Sequence, residues 1–284
     1  MKQKTILDYV RCGTDYLESH SVPEARQSAE ALLSYVLEKP RWEIYLNGAC
    51  EINSDASEQF EALLKKRAGR YPLQYLLKTV PFREVMIEVG EGCLIPRPET
   101  EILVGKACEK LKKMPGKTAV LDVGTGSGNI AISLAKECSN VSVIATDISM
   151  EALRYAKENA LINGVRDRIQ FIQTDLWQGI EGIRFDMIVA NPPYLGRAEL
   201  NELQPELVFE PVIALDGGYD GIDYFQRIVY GATGFLKVGG CVLFEVGAGQ
   251  ADRVAIELKQ NGFQGVEIDV DDTGIKRIVS GVLS

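Results

Sequence analysis

A glycine-rich stretch, VLDVGTGSG at residues 120–128, is the first place where residue types and spacing could do chemistry. Gly124, Gly126 and Gly128 alternate between one apolar run and the next, residues 129–135. Glycine lacks the Cβ that would block a tight turn, and the free N–H groups at the start of a helix can face polar ligand atoms. The stretch predicts a strand, a cofactor-binding turn and a helix. A tight connection, or a loop for another nucleotide, would show similar glycines.

An aspartate follows at a distance that suits the ribose of a nucleotide. Asp147 ends the next apolar segment, VSVIATD, 19 residues after Gly128. A carboxylate at this place can accept hydrogen bonds from both ribose hydroxyls, as it does in dinucleotide-binding folds. Asp147 therefore indicates an adenosine ribose without identifying the cofactor. A simple helix cap before Ser149 is the alternative interpretation.

The glycine spacing and its flanking acid favour one kind of cofactor. A pyrophosphate-binding turn has the spacing G-x-G-x-x-G, whereas this one reads G-x-G-x-G. Asp122 lies just ahead of the turn, where an acid would repel phosphate but suit the ammonium group of a methionine moiety. The sequence thus predicts S-adenosylmethionine. Asp175, at the end of the third apolar segment, would neighbour the adenine amino group, with Leu176 or Trp177 over the adenine face.

The second stretch with chemical potential is Asn191-Pro192-Pro193-Tyr194, directly after the apolar run 185–190. Two prolines fix two φ angles and remove two N–H donors, so the side-chain carbonyl of Asn191 and the backbone carbonyl of Pro192 stay free to accept hydrogen bonds. Two acceptors at fixed angles could orient a planar NH2 group and counter the positive charge that develops on its nitrogen during methyl transfer. Tyr194 could stack on the flat group. A rigid turn that only ends a strand is the alternative.

The elements that must position these stretches change character along the chain. Apolar residues recur at helical spacing up to about residue 78, which predicts a small domain of four or five short helices at 1–79. Residues 80–95 alternate around two glycines and predict a hairpin linker. Residues 96–284 repeat strand, turn and helix and end in an antiparallel hairpin. This order predicts an α/β class with a doubly wound parallel sheet, whose strand ends carry both chemical stretches.

Composition excludes several classes of protein. The chain has 284 residues, 46% of them hydrophobic and 25% charged, as in ordinary folded proteins. Its first residues fit neither a signal peptide nor a membrane span, which predicts a cytoplasmic protein. Six scattered cysteines and a single histidine, His20, argue against a metal site and against histidine catalysis. We expect the cysteines to be small buried side chains and His20 to lie at the surface near a helix end.

The net charge of −9 argues against binding to duplex DNA, because such binding requires a basic face. Residues 1–90 carry 12 basic and 13 acidic groups, whereas residues 91–284 carry 19 basic and 27 acidic groups. The only basic cluster comprises Lys65, Lys66, Arg67 and Arg70. A solvated helix face is the favoured interpretation of this cluster, and a docking patch for an acidic or nucleic-acid-bearing partner is the alternative.

In combination, these stretches resemble the class I methyltransferases with an NPPY signature, which act on adenine N6, cytosine N4 or glutamine N5. All three acceptors present an NH2 on an sp2 carbon. More closely, nearly the whole chain resembles the release factor glutamine methyltransferase family. The resemblance lies in PLQYLL at 72–77, IPRPETE at 95–101, LDVGTGSGNIAISLA at 121–135, NPPY at 191–194, FEPVIALDGGYDG at 209–221 and LKVGGCVLFEVGAGQ at 236–250.

The resemblance implies a Rossmann-like, mostly parallel sheet of seven strands behind a small all-helical N-terminal domain, with S-adenosylmethionine as the methyl donor. Together with the chemistry above, it assigns cofactor binding to Asp122, Gly124, Thr125, Gly126, Ser127, Gly128, Asp147, Asp175, Leu176, Trp177 and Asn191. Catalysis is assigned to Asn191, Pro192 and Tyr194. Substrate binding is assigned to these three residues and to Pro193, Arg97 and Glu99, the last two at the pocket mouth.

The implied substrate is the glutamine in the Gly-Gly-Gln loop of a class-1 peptide chain release factor. Residues 1–79 would be the docking module of a monomer that does not bind DNA directly. Two departures from the family pattern, at 78–82 and 274–277, concern the linker and an edge strand. A nucleic-acid methyltransferase acting on adenine or cytosine is one alternative, disfavoured by the acidic balance and by the lack of an inserted recognition domain. A non-catalytic nucleotide-binding module is the other.

Overall fold

The computed structural model describes residues 4–284, which form two compact units. The first unit comprises the chain up to Thr79 together with Gln204–Phe209, and the second comprises Val80–Leu203 and Glu210–Ser284. The predicted domains at 1–79, 80–95 and 96–284 stay predictions. Nothing in the sequence indicates that residues 204–209 belong with the helices. Within residues 4–284, no helix has both the length and the apolar content needed to cross a membrane.

The first unit is helical because its apolar side chains recur on one face of each helix. Its helices are α1 (Ile6–Ser19), α2 (Ala25–Leu37), α3 (Arg41–Leu46), α4 (Ser54–Ala68) and α5 (Leu73–Leu77). Leu17, Leu32 and Leu33 are fully buried in its core. A capping box starts α1, because the Thr5 hydroxyl accepts from the Asp8 N–H while the Asp8 carboxylate accepts from the Thr5 N–H.

The basic cluster has a structural role within this unit. Arg67 is buried, and its guanidinium donates to Glu206 Oε1 over 3.0 Å. Arg70 donates to both oxygens of the same carboxylate, over 2.8 and 2.7 Å. The prediction of a solvated helix face is therefore wrong for Arg67 and Arg70, whose charges bind the 204–209 segment. Lys65 and Lys66 are exposed, as predicted.

A hairpin of β1 (Thr79–Phe82) and β2 (Val85–Glu88) follows. Gly90 and Gly92 come after its second strand and not in its turn, contrary to the predicted arrangement around these glycines. The side chain of Asn159 fixes the hairpin, because its Oδ1 accepts from the Glu88 N–H over 2.7 Å and its Nδ2 donates to the Glu88 carbonyl over 2.9 Å. The same Nδ2 donates to the carbonyl of Ser127, so Asn159 also supports the glycine-rich turn.

The rest of the second unit is a seven-stranded sheet flanked by helices. Its strands are β3 (Thr118–Val123), β4 (Val141–Asp147), β5 (Ile169–Gln173), β6 (Phe185–Ala190), β7 (Leu236–Glu245), β8 (Phe263–Val270) and β9 (Lys276–Leu283). Its helices are α6 (Pro98–Leu111), α7 (Asn129–Glu137), α8 (Met150–Ile162), α9 (Arg197–Leu200), α10 (Asp223–Phe235) and α11 (Ala251–Gln260). The strand order is β5-β4-β3-β6-β7-β9-β8, parallel except for β9, which runs antiparallel to both its neighbours. The predicted α/β class, the seven-stranded sheet and the late antiparallel hairpin are confirmed.

The sheet brings the two chemical stretches together. Successive strands run outward from β3 through β4 to β5 on one side and from β6 to β7 on the other, so the order reverses between β3 and β6. These two strands are parallel neighbours, with Val123 in register with Ala190. The turn after β3 and the turn after β6 therefore emerge side by side, at the edge where doubly wound sheets bind ligands.

The burial of each cysteine depends on its position in a helix or strand and not on its residue type alone. Cys93, Cys108, Cys138 and Cys241 are buried, but Cys12 and Cys50 are exposed, so the prediction of six buried cysteines is wrong. Cys12 falls off the buried stripe of α1, which runs through residues 6, 10, 13 and 17. His20 is exposed at the end of α1, as predicted.

Candidate active site

A cleft opens where β3 and β6 end, and it encloses about 1000 Å³ of empty space with its open mouth included. All its walls belong to the second unit. Most of the predicted site residues line it, namely Arg97, Gly124, Thr125, Gly126, Ser127, Asp147, Asp175, Leu176, Asn191, Pro192 and Pro193. Five predicted residues lie outside the lining, namely Glu99, Asp122, Gly128, Trp177 and Tyr194.

The three glycines of the turn have two different tasks. Gly124 and Gly126 have φ angles of 73° and 57°, and a Cβ built on either meets no atom within 4 Å, so their backbones face open space. Gly128 has a φ of 86°, but its Cβ would lie 2.9 Å from the Ile132 side chain and 3.0 Å from that of Ala156. Gly124 and Gly126 form the cradle, whereas Gly128 permits α7 to pack closely against α8.

Asp147 holds the glycine-rich turn and the loop that leads into α8. Its Oδ2 accepts from the Gly126 N–H over 2.8 Å, and its Oδ1 accepts from the Ser149 N–H over 2.8 Å. Burial raises the pKa of this carboxyl above its ordinary value, although the backbone N–H groups oppose the rise. An ionised carboxylate offers about four acceptor sites, and the N–H groups of Gly126, Ser149 and Ile148 do not use all of them. The cap of α8 is Ser149, whose hydroxyl accepts from the Ala152 N–H over 3.2 Å, so the alternative of a simple helix cap does not describe Asp147.

Asp122 lies beneath the turn rather than in the cleft. It is fully buried, and its Oδ2 accepts from the Thr125 hydroxyl over 2.6 Å and from the Ala131 N–H over 3.2 Å. Burial raises the pKa of the Asp122 carboxyl to about 7. The predicted direct contact with an ammonium group is not supported by this geometry, because a residue one short of the end of β3 is covered by the turn that follows it.

The far wall of the cleft is mostly apolar. Leu176 lines it with a left-handed φ of 61°, joined by Tyr224 and Ile228 from α10, which the sequence analysis missed. Asp175 lines the rim, where both its oxygens accept from Arg227 Nη2, over 2.9 and 2.8 Å. Of the two residues predicted to cover an adenine, only Leu176 faces the cleft.

Trp177 points elsewhere, because its ring stacks on that of Phe235 with centroids 4.9 Å apart and planes 12° from parallel. Its Nε1 donates to the carbonyl of Arg227 over 3.4 Å. Both interactions tie Trp177 to α10, so it supports the cleft wall from behind.

The chemical groups of the wall indicate what kind of ligand the cleft fits. The buried hydroxyls of Ser127 and Thr174 both line the cleft, and neither finds a hydrogen-bond partner among residues 4–284. Four buried oxygens outside the lining are likewise unpaired within residues 4–284, namely Thr118 Oγ1, Asp122 Oδ1, Ser133 Oγ and Ser280 Oγ, so the two hydroxyls alone do not indicate a ligand. The glycine cradle, the spare acceptor sites of Asp147 and the apolar wall by Leu176 together fit an adenosine-containing cofactor such as S-adenosylmethionine.

Asn191 is held in the cleft by a chain of two hydrogen bonds. Its Nδ2 donates to the Thr100 hydroxyl over 3.1 Å, and that hydroxyl donates to Glu245 Oε2 over 2.6 Å. Among residues 4–284, no donor contacts Asn191 Oδ1 or the carbonyl oxygen of Pro192. Both predicted acceptors are therefore available to a group in the cleft.

Tyr194 is anchored by its backbone. Gln250 Nε2 donates to the Tyr194 carbonyl over 2.8 Å and to the Gly221 carbonyl over 3.3 Å, and Gln250 Oε1 accepts from the Gly247 N–H over 3.0 Å. Burial raises the pKa of the Tyr194 phenol to about 12. Gln250 thus fastens the end of the Asn-Pro-Pro-Tyr turn to two glycine loops, and the predicted stacking of Tyr194 on a substrate stays a prediction.

Arg97 and Glu99 have separate surroundings. Arg97 lines the cleft and donates to Glu210 Oε1, while Glu210 Oε2 accepts from the Ile95 N–H over 2.9 Å. Glu210 is itself buried. Its two hydrogen bonds join its own loop to the loop that carries Ile95 and Arg97. Glu99 is outside the lining and lies 3.7 Å from the Arg277 guanidinium.

Four supporting residues escaped the sequence analysis, namely Thr100, Glu210, Glu245 and Gln250. All four lie inside segments that carry the family resemblance, but the sequence did not indicate a role for these individual residues. One local signal was present: Glu245 is a carboxylate at the end of the apolar run CVLF, just where ligand-binding strands end.

Comparison with known proteins shows which family the chain resembles over nearly its whole length. Residues 100–216 match the family described as methyltransferase small domain, and residues 8–77 match the PrmC N-terminal domain. A release factor glutamine methyltransferase of Geobacter sulfurreducens is 38% identical over 279 residues, covering 98% of this chain and 95% of that protein. One of Deinococcus radiodurans is also 38% identical and covers 96% of both chains.

Among solved structures, the release factor-specific protein-(glutamine-N5) methyltransferase of Alicyclobacillus acidocaldarius is 34% identical. The match covers 70% of this chain and 99% of that one, with a TM-score of 0.43.

Proposed function

The chain belongs to the release factor glutamine methyltransferase family, and from this premise we propose that it methylates the N5 amide of a glutamine in class-1 peptide chain release factors. The target is the glutamine of their Gly-Gly-Gln loop, and S-adenosylmethionine is the methyl donor. The observation that carries the proposal is the meeting of two features in one cleft. The glycine cradle faces the same space as the free acceptors of Asn191 and Pro192.

The donor, when bound, supplies a methyl group made electrophilic by a positively charged sulfur. For the chain, the chemical task is to orient a weak nucleophile, because the lone pair of an amide nitrogen is delocalised. Asn191 Oδ1 and the Pro192 carbonyl accept the two N–H groups of the glutamine and fix the plane of its amide. As positive charge develops on the nitrogen, the same oxygens stabilise it. The proton is lost to water after transfer, so no side chain needs to act as a strong base.

At the donor end, we assign Asp147 to the ribose hydroxyls and Leu176 to one face of the adenine, with Asp175 near the adenine amino group. Ser127 and Thr174 would pair their buried hydroxyls with polar atoms of the donor.

Mass spectrometry tests the proposed reaction directly. The enzyme is incubated with labelled S-adenosylmethionine and a class-1 release factor, and we expect one methyl group on the Gly-Gly-Gln glutamine. A factor with that glutamine replaced by alanine is the matched control and should gain none. Methylation of adenine or cytosine in DNA or RNA, with no methylation of the factor, would overturn the proposal in favour of the nucleic-acid alternative.

We further propose that the first unit docks the release factor. The pocket reads only a side chain, so choosing one glutamine among many requires additional buried surface. On α3, Trp42 and Leu46 are four residues apart, and 66% and 75% of their areas are exposed. Because Trp42 and Leu46 lie one helical turn apart, they can form a continuous apolar patch that a protein partner could cover.

Point variants are the better probe of this docking role, since deletion of the helices would also remove Arg67 and Arg70 from Glu206. We expect Trp42→Ala with Leu46→Ala to raise the KM for the intact factor about tenfold, the effect of losing an aromatic anchor. Donor affinity and kcat should stay near wild type. Leu161→Ala, which removes an equally exposed leucine from the second unit, is the control. If both variants give the same KM, the docking assignment to α3 is wrong.

A further inference from the structure

Three elements of the second unit converge on the side chain of Asn191. Thr100 lies in the first turn of α6, Glu245 ends β7, and Asn191 follows β6. Thr100 and Glu245 are each only 1% exposed. The proposed methyl transfer gives no role to a buried carboxylate beside Asn191. Burying the Glu245 carboxylate costs folding free energy unless the group is well paired. Its place beside the acceptor-binding turn therefore calls for a function.

The direction of the hydrogen bonds supplies that function. A threonine hydroxyl has one hydrogen to donate, and Thr100 directs it to Glu245 Oε2 over 2.6 Å. The oxygen of the Thr100 hydroxyl then has no hydrogen left for Asn191 and can only accept from it. It accepts from Asn191 Nδ2 over 3.1 Å. With its NH2 turned to Thr100, the amide of Asn191 presents its carbonyl to the cleft. The two ends of an asparagine amide have nearly the same shape, so packing alone would not select this orientation.

We propose that Glu245 and Thr100 are positioning residues that fix the amide of Asn191 with Oδ1 toward the acceptor nitrogen. This inference rests on the proposed function for its kinetic consequences. The carboxylate acts through the Thr100 hydroxyl and through its own interaction with the Asn191 amide, and it is not part of the cleft lining. Its negative charge makes the hydroxyl a donor, and the hydroxyl in turn makes Asn191 an acceptor on the cleft side.

The charge state of Glu245 should then control the polarity of the chain of hydrogen bonds. A protonated Glu245 can donate to the Thr100 oxygen, which frees the hydroxyl hydrogen to face Oδ1 of a flipped Asn191. The NH2 of Asn191 would then point into the cleft toward the NH2 of the glutamine. Two hydrogen-bond donors repel each other, so the glutamine would no longer be held. Burial, with help from the nearby Glu99, raises the pKa of Glu245 to about 7, while Thr100, Arg277 and Asn191 oppose the rise. Tyr194 also faces this carboxylate.

The predicted kinetic signature is an acid limb. Above pH 7 Glu245 is ionised and Asn191 is oriented correctly, so kcat/KM should be at its plateau. Below pH 7 the protonated form grows and kcat/KM should fall. In Glu245→Gln, whose amide can donate or accept at any pH, we expect a loss of about tenfold at the plateau, the scale of one net hydrogen bond, and no acid limb near pH 7.

The two Thr100 variants separate polarity from packing. Thr100→Val keeps the shape and removes the hydroxyl, so it should lose about as much as Glu245→Gln, mainly in kcat. Thr100→Ser restores the hydroxyl and should recover most of the activity that Thr100→Val loses. Two measurements show whether each variant is folded: the melting temperature, and the binding of S-adenosylmethionine measured by calorimetry. A wild-type acid limb in folded Glu245→Gln, or equal losses in the serine and valine variants, would overturn the proposal.

A readout without methyl transfer keeps this inference separate from the proposed function. In protein labelled with ¹⁵N-asparagine, the side-chain NH2 of Asn191 is assigned by its disappearance in Asn191→Asp. We expect its shifts to titrate near pH 7 in wild type and to be insensitive to pH in Glu245→Gln. If this holds while no release factor is methylated, the inference stands and the proposed function fails. If the factor is methylated but the Asn191 signal ignores Glu245, the inference fails alone.

Discussion

The two ends of the cleft are built by different means. At the donor end, the shape is set mainly by backbone: two glycines face open space, and Asp147 holds the turn through main-chain N–H groups. At the acceptor end, the shape is set by side chains from distant parts of the sequence, since Thr100, Glu245 and Gln250 hold the turn after β6. The donor end is thus a local structure, and the acceptor end exists only in the folded sheet.

This difference suggests how substitutions at the two ends should differ. The donor end would contact the adenosine part of S-adenosylmethionine, which does not change during methyl transfer, so substitutions there should weaken donor binding. The acceptor end would hold a nitrogen whose charge changes during transfer, so substitutions there should slow turnover. A variant that reversed these effects would contradict the division between the ends.

The largest effect is expected for Asn191→Ala. Removal of an acceptor that stabilises charge only in the transition state should lower kcat by about 10²–10³. Donor affinity, measured by calorimetry, should change little. Asn201→Ala, at an exposed asparagine, is the control and should leave kcat unchanged. A loss of tenfold or less would mean that the turn after β6 only terminates a strand.

A smaller effect, on binding, is expected for Asp147→Ala. The loss of a charged hydrogen-bond acceptor should weaken donor affinity by about 1.5–3 kcal/mol, with kcat at saturation largely kept. Asp167→Ala, at an exposed aspartate, should bind the donor like wild type. Calorimetry with S-adenosylmethionine, its demethylated product and NAD measures the change. Unchanged affinity in Asp147→Ala would contradict the ribose assignment, and preference for NAD in wild type would contradict the cofactor.

The sequence predicts the local structures of the site well and the long-range ones poorly. The strand, glycine turn and helix around residues 120–135 follow from periodicity and from the freedom of glycine, and β4 and β6 have the predicted bounds. In contrast, α6 and α10 were not predicted, although they supply Thr100 and the wall residues Tyr224 and Ile228. Their contributions depend on which helix packs beside which strand, and periodicity alone does not fix that.

Buried charge was the other source of error. Arg67 reads as part of a solvated face because its neighbours in sequence are basic, yet it is only 5% exposed and pairs with Glu206, which is 139 residues away. Asp122 reads as a cofactor ligand because it precedes the glycines, yet the folded turn covers it. In both cases the partner that decides the role is set by the fold or by the course of the turn, and sequence spacing did not reveal it.

The smallest effects should distinguish Leu176 from Trp177, which the sequence offered as equal candidates for the adenine face. Leu176 lines the cleft, whereas Trp177 stacks on Phe235. Leu176→Ala shortens the side chain that faces the donor and should weaken donor binding about fourfold, which corresponds to the loss of about one CH2 of apolar contact at about 0.8 kcal/mol. Trp177→Phe keeps a flat ring against Phe235 and should bind the donor within about twofold of wild type, since it loses only a long hydrogen bond to a backbone carbonyl. Calorimetry on both variants decides between the two residues. If Trp177→Phe weakens binding more than Leu176→Ala does, the tryptophan turns toward the donor when the donor is bound, and the apolar wall of the cleft then depends on the ligand.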